Sequence, residues 1–340
     1  MTKWKPWTRC CTLLALWLAV AARAAGPVPD IDAQAKLLAR ANASVVGVRA
    51  TAVEDARSSE NLGRERQGSG VVIGTDGIVV TIGYLIMEAD RVDLVIERDR
   101  VVPARVVAYD IASGFGLLQA LAPLRLPPAQ LGNPALLSTE EPLMIASGGE
   151  DGDLSIARMV SRRSFSGYWE YHVDGALFTT PPRTDHSGAA LFNAKGELMG
   201  IGSLIVLDAL GPGQPRLPGN MFVPTDLLKS ILPELRQRGA TRSSTRSWLG
   251  LNCVELDGAV RVVRVTRDSP AEEAGLLPGD KILRIDGTPV NDLDGFYAAL
   301  WRGTPPEREV TLVVVRGEAE QTVKVNALDR VKTLRHPRGI

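Results

Sequence analysis

Two β-branched runs, Val71-Val72-Ile73 and Ile78-Val79-Val80-Thr81, meet across Thr75-Asp76-Gly77. An Asp-Gly pair supplies the backbone conformation that a tight turn between strands needs, so this stretch predicts a β-hairpin. Residues 44–53 read as a strand ahead of it. Beyond it, Val92, Leu94 and Ile96 alternate with other residues, and residues 103–108, 117–121, 143–146 and 154–160 continue the pattern. Short strands at close, regular spacing, with turn residues between them and no alternating helices, predict a barrel or sandwich.

Helical spacing occurs at two places in this part. Residues 25–43 carry Ala35, Leu37, Leu38 and Ala41 on one face and read as a helical lead-in. Residues 225–238 present Leu227, Leu228, Ile231 and Leu235, with Thr225 and Asp226 as caps and Gly239 as the stop. Residues 54–67 are polar and charged without an apolar period, which predicts a mobile surface loop. Residues 239–247 are small, polar and basic, as a linker would be.

The 340 residues are 45% apolar and suffice for two domains. Thirty-nine Lys and Arg balance thirty-nine Asp and Glu, so no global field recruits nucleic acid or an anionic membrane. Lys3, Lys5 and Arg9, then the apolar residues 11–20, then Ala22-Arg23-Ala24, form a cleavable export signal over residues 1–24. An uncleaved anchor is the alternative. Cys10 and Cys11 leave with a cleaved signal, and Cys253, among apolar neighbours, reads as a lone buried thiol. No Cys/His or carboxylate cluster has metal spacing, and no cofactor is implied. Gly68-Ser69-Gly70 and Gly211-Pro212-Gly213 read as turn glycines, with no phosphate loop around them.

The chemistry-bearing stretch is Asp185-His186-Ser187-Gly188-Ala189-Ala190-Leu191, followed by Asn193-Ala194-Lys195-Gly196-Glu197-Leu198-Met199-Gly200-Ile201. A tight turn of small residues presenting one serine, then two apolar strands joined by a Lys-Gly hairpin, resembles the serine box of the HtrA (Deg) family of trypsin-like proteases. The family's box reads Gly-Asn-Ser-Gly-Gly-Pro-Leu. The second half of the chain carries the same resemblance. Trp248-Leu249-Gly250-Leu251, Ser269-Pro270-Ala271-Glu272-Glu273-Ala274-Gly275-Leu276 and Pro278-Gly279-Asp280-Lys281-Ile282-Leu283 follow one another as in a bacterial PDZ domain, and Ile285-Asp286-Gly287-Thr288-Pro289-Val290 completes it. Ser269 is placed as N-cap, with Pro270 at the first helical position.

The resemblance implies a mainly β chain: a trypsin-like double β-barrel over residues 44–238, the linker, a PDZ domain over 248–329, and a frayed tail over 330–340 that includes His336. It also implies roles. Ser187 is the remnant nucleophile. Tyr84 stands where the family has its histidine base, and Gly114 where it has the orienting aspartate. Asp185, His186 and Ser187 form the oxyanion region, with Asp185 in place of a glycine. Trp248, Leu249, Gly250 and Leu251 are the peptide-binding loop. A phenol is a poor base near neutral pH, and a Cβ with a negative charge is unsuited to an oxyanion donor. Of the three histidines, His186 adjoins Ser187 on the same turn and points elsewhere. His172, in Trp169-Glu170-Tyr171-His172-Val173-Asp174, is the one candidate for a substitute base.

The reading is therefore a periplasmic, HtrA-like pseudoprotease that binds unfolded or C-terminal peptide segments of envelope proteins without cutting them. It would serve as adaptor, sensor or holdase in protein quality control. The alternative is an active serine endopeptidase using Ser187 with a non-standard base, and a third reading makes both domains assembly modules. An active paralogue is a candidate partner. The family trimerises through aromatic side chains near the start of the barrel. Residues 25–83 contain no Phe, Trp or Tyr, so a homo-oligomer is allowed but the trimer does not carry over.

Overall fold

The computed structural model describes residues 31–97, 100–241, 244–303 and 305–335. The stretch read as an export signal, the first residues of the lead-in and His336 lie outside them. The lead-in is a helix, Ile31–Asn42.

The first barrel is closed by six strands: β1 (Val45–Ala52), β2 (Glu65–Val72), β3 (Ile78–Ile82), β4 (Ala89–Glu97), β5 (Arg100–Tyr109) and β6 (Phe115–Ala120). β2 and β3 are the expected hairpin, with Gly77 at φ +81° in its turn. Apolar side chains of the strands form the core, among them Val46, Val48, Val79, Leu94, Leu117 and Leu118.

Residues 54–67 differ from the expected loop. Residues Ser59–Leu62 form a single helical turn and β2 already begins at Glu65. The cause is Arg66, almost fully buried, which donates to the carbonyls of Gly63, Tyr84 and Met87 and to the Ser58 hydroxyl. Gly68-Ser69-Gly70 is likewise strand rather than turn. A Cβ on Gly68 would lie 2.5 Å from the Ser187 carbonyl, so the glycine lets the serine turn settle on β2.

The second barrel follows: β7 (Gln130–Leu131), β8 (Pro142–Ala146), β9 (Leu154–Gly167), β10 (Tyr171–Thr180), β11 (Ala190–Phe192), β12 (Glu197–Val206) and β13 (Gly219–Pro224). Their order is β11-β8-β9-β10-β13-β12-β7, and β11 also pairs with β12, closing the ring. The helix Thr225–Arg238 ends in a left-handed Gly239, as expected, but Thr225 does not cap it. Its hydroxyl turns inward to the Leu198 carbonyl at 3.0 Å, while Asp226 pairs with Arg162.

The stretch read as a linker is held against the first barrel. The hydroxyls of Thr241 and Ser244, both buried, meet the carboxylate of buried Asp110. The last domain contains β14 (Ser247–Trp248), β15 (Leu251–Leu256), β16 (Ala259–Val265), β17 (Lys281–Ile285), β18 (Thr288–Pro289), β19 (Arg308–Arg316) and β20 (Ala319–Asp329). The sheet runs β14-β20-β19-β17-β16-β15, with β18 beside β17, and the helix Leu293–Arg302 packs across it through Phe296, Tyr297 and Leu300. Ser269 caps the short helix Pro270–Glu273 by accepting from the Glu272 N–H, as expected. Residues 330–335 depart from the expected tail. They form a 3-10 turn, Arg330–Thr333, and Arg335 N–H donates to Glu88 at 2.7 Å.

Candidate functional site

Ser187 sits between the two barrels, half-buried, on a turn built by close approaches. Gly188 has φ +74°, and a Cβ there would fall 2.0 Å from the Ser69 carbonyl. The Ser69 N–H donates to the Ser187 carbonyl at 2.8 Å, and Thr81 supports Ser69 from the other side. Backbone contacts to Ser69 therefore fix the turn that presents Ser187.

What faces the hydroxyl is Tyr84. Its phenol oxygen lies 2.7 Å from Ser187 Oγ and 2.8 Å from the Ser203 carbonyl. A carbonyl only accepts, so the single phenolic proton goes to Ser203 and the Ser187 hydroxyl donates to the phenol. Burial pushes the Tyr84 phenol up to about 12, with the Ser187 contact acting weakly the other way. A neutral phenol then holds the serine proton acceptor position, and its lone pair is far too weakly basic to take that proton.

Gly114 is also where the sequence places it, beside the site, with φ +83°. The space an aspartate would use is filled. A Cβ on Gly114 would lie 2.5 Å from the Tyr171 hydroxyl. That hydroxyl donates to the Ser113 carbonyl at 3.0 Å and faces the Ser203 side chain. Desolvation raises the Tyr171 phenol as well, and Tyr109, whose ring occupies the space over Gly83, is buried and raised in the same way. Tyr171, Tyr109 and Ser203 were not singled out from the sequence. The cluster Tyr168-Trp169-Glu170-Tyr171 is a visible signal, but only the fold brings its last tyrosine to Gly114.

The oxyanion region is remodelled. Arg183 donates to both oxygens of the Asp185 carboxylate, at 2.9 Å for its Nε, and Ser147 donates at 2.5 Å. The Arg183 hydrogen bonds hold Asp185 below the usual carboxylate range, so it is anionic. A fixed negative charge therefore stands beside the backbone N–H groups that a tetrahedral oxyanion would need. The His186 ring donates from Nδ1 to the carbonyls of Arg183 and Thr184, and burial lowers its basicity.

His172 is engaged elsewhere. Its Nδ1 lies 2.8 Å from Ser166 Oγ, its Nε2 lies 3.1 Å from Asp174, and Asp294 of the last domain is 3.5 Å away. The residue read as a substitute base is part of a polar contact between domains. Among the described residues no group of three or more His, Cys, Asp or Glu could hold a metal ion.

The loop Trp248-Leu249-Gly250-Leu251 has the geometry of a carboxylate cradle. Gly250 has φ +85°, and a Cβ there would strike Ser269 Cβ at 2.3 Å. The cradle is filled by the chain itself. The Glu170 carboxylate accepts from the N–H groups of Leu249 at 3.2 Å, Gly250 at 2.9 Å and Leu251 at 2.9 Å. Glu170 is 3% exposed, and its pKa is pushed up to about 7 by burial, opposed by Arg330 and by those three N–H groups.

The model of the trypsin-like peptidase domain family matches residues 68–201, and the PDZ domain model matches residues 247–327. A probable periplasmic serine endoprotease, DegP-like, of Pseudomonas fulva (strain 12-X) is 30% identical over 286 residues, which cover 77% of this chain and 57% of that protein. The putative protease Do-like 14 of Arabidopsis thaliana is 27% identical over 260 residues, covering 66% of this chain and 58% of that protein. The chain spans somewhat over half the length of these relatives. Among solved structures, the HtrA-type protease AlgW with decapeptide superposes with a TM-score of 0.54 at 21% identity, covering 89% of this chain and 99% of that one. The serine endoprotease from Yersinia pestis gives 0.53 at 20% identity, covering 90% and 99%. At such identities the structural likeness speaks for the fold. Two closed barrels meeting at a serine turn, a PDZ domain after them, and the likeness to DegP-like and HtrA-type proteins identify this chain as HtrA-like.

Proposed function

We propose that this chain is a non-hydrolytic HtrA-like protein of the periplasm, whose PDZ domain binds exposed C-termini or unfolded segments of envelope proteins. The observation that carries the non-hydrolytic part is the neutral Tyr84 phenol 2.7 Å from Ser187 Oγ, where a base is required. Gly114 against Tyr171, and Asp185 in the oxyanion region, point the same way. Losing the base and its orienting acid costs on the order of a million-fold in turnover, and the residual catalysis depends on the oxyanion donors that Asp185 disturbs.

The peptide-binding part is supported by three convergent N–H donors at 249–251 that already hold one carboxylate. The names of the DegP-like relatives and the basic then apolar N-terminus support export to the periplasm. The alternative, an endopeptidase using His172, draws no support from a ring bonded to Ser166 and Asp174. Incubation with an unfolded protein such as reduced casein tests the proposal. No cleavage above background is expected, and cleavage that disappears in Ser187→Ala would overturn it.

A further inference from the structure

The tip between β9 and β10 enters the PDZ domain along the track a peptide would follow. β15 is the outer strand of that sheet and pairs with β16 on one side only. On its open side, Cys253 N–H donates to the Tyr168 carbonyl at 2.9 Å. Two residues further along the tip, the Glu170 carboxylate fills the 249–251 cradle. A peptide adding to a sheet edge by its C-terminus makes the same two contacts. A backbone carbonyl meets the edge strand, and two residues later a terminal carboxylate meets convergent N–H groups. The tip thus copies a C-terminal ligand, with a side-chain carboxylate in place of a main-chain one.

The tip is anchored from two other sides. Tyr297, on the helix Leu293–Arg302, donates to the Gly167 carbonyl at 2.6 Å and accepts from the Glu170 N–H. Arg330 donates to the carbonyls of Trp169 and Glu170 rather than to the carboxylate. The direct hydrogen bonds to the carboxylate are thus those of the loop N–H groups, with the Arg330 charge favouring the anion from nearby. Its holding is not free of strain. Glu170 has φ +56°, a left-handed conformation that non-glycine residues adopt only at a cost. A buried carboxylate also loses its hydration.

We propose that Glu170 is a built-in occupant of the PDZ carboxylate cradle, and that a free C-terminal carboxylate binds only by displacing it. This rests on the peptide-binding reading above and adds its regulation. The closed groove lowers the apparent affinity of any C-terminal ligand by the fraction of molecules in which the tip is withdrawn. Opening also releases Trp169, which stacks on Tyr171 beside Gly114, so occupancy of the groove is felt next to Ser187.

The test compares wild type with Glu170→Ala, which removes the occupant's carboxylate, and Arg330→Gln, which loosens the tip from the other side. The probe is a fluorescein-labelled decapeptide ending in Tyr-Trp-Val with a free carboxylate, beside its C-terminally amidated twin. The expected result is at least about tenfold tighter anisotropy-detected binding to both variants than to wild type, for the free-carboxylate probe alone. Equal affinity of all three proteins would overturn the built-in occupant and leave peptide binding standing. No binding even to the opened variants would overturn the peptide-binding reading, and the displacement proposal with it. Faster amide exchange at Leu249, Gly250 and Leu251 in folded Glu170→Ala is expected independently of any probe, and unchanged exchange there would also overturn it.

Discussion

At Gly114 the backbone is left-handed, and a Cβ would meet the Tyr171 hydroxyl at 2.5 Å. Replacing the family's acid by glycine has therefore not left an open slot into which a carboxylate could be returned. The double variant Tyr84→His/Gly114→Asp is expected to remain inactive toward casein. It should also melt below wild type by about 5–15 °C, from left-handed strain plus overpacking of roughly 2–5 kcal/mol. Differential scanning calorimetry and a casein assay check this together. A double variant that melts with wild type and cleaves casein would mean the Tyr171 ring yields readily. At the neighbouring position the chemistry is set by burial. With its phenol pushed up to about 12, Tyr84 stays protonated up to that pH, so raising pH from 6 to 9 does not awaken Ser187.

Among the elements, the polar stretch before β2 has one side chain holding it in place. Arg66 satisfies three carbonyls and the Ser58 hydroxyl while nearly buried, and Glu88 accepts from the Ser58 N–H and hydroxyl beside it. Arg66→Ala leaves those acceptors without a partner, a loss of about 2–4 kcal/mol. Limited trypsinolysis should then cut at Arg57 and Arg64 well before global unfolding, whereas wild type resists. The hairpin at residues 70–81, the helix Thr225–Arg238 and the Ser269 cap were all legible from local pattern, because turn residues and helical spacing act over a few positions. Arg66 was not. A lone arginine among charged neighbours reads as solvated, and only the closed barrel supplies the carbonyls it serves. Glu170 was illegible for the same reason. It lies 79 to 81 residues from the N–H groups it meets, and no local pattern marks a glutamate as a ligand for a distant loop.

In the whole molecule, barrel and PDZ domain are joined by a titratable contact. Opening the tip returns Glu170 from about 7 toward its ordinary 4.5. A folded-state pKa raised in this way means the closed protein binds the proton more tightly. Closure therefore gains stability as pH falls from about 7 to about 4.5 and is weakest above 7. The groups facing the carboxyl are Arg330 on the terminal turn, Cys253 on β15 and Tyr297 on the PDZ helix. Burial raises both the thiol and the phenol, so neither ionises across this range and Glu170 dominates it. The melting difference between wild type and Glu170→Gln is expected to widen in favour of wild type, by up to about 2–3 kcal/mol, from pH 8 to pH 5. A difference flat across that range would contradict a raised pKa at this contact.

The central claim is that Ser187 keeps the fold's nucleophile turn but has no base. A fluorophosphonate probe reads an activated serine hydroxyl without needing a substrate. Applied to the wild-type protein between pH 6 and 9, with Ser187→Ala as control, it is predicted to leave Ser187 unlabelled at every pH. Labelling that is lost in Ser187→Ala would contradict the account and return the chain to the active endopeptidases.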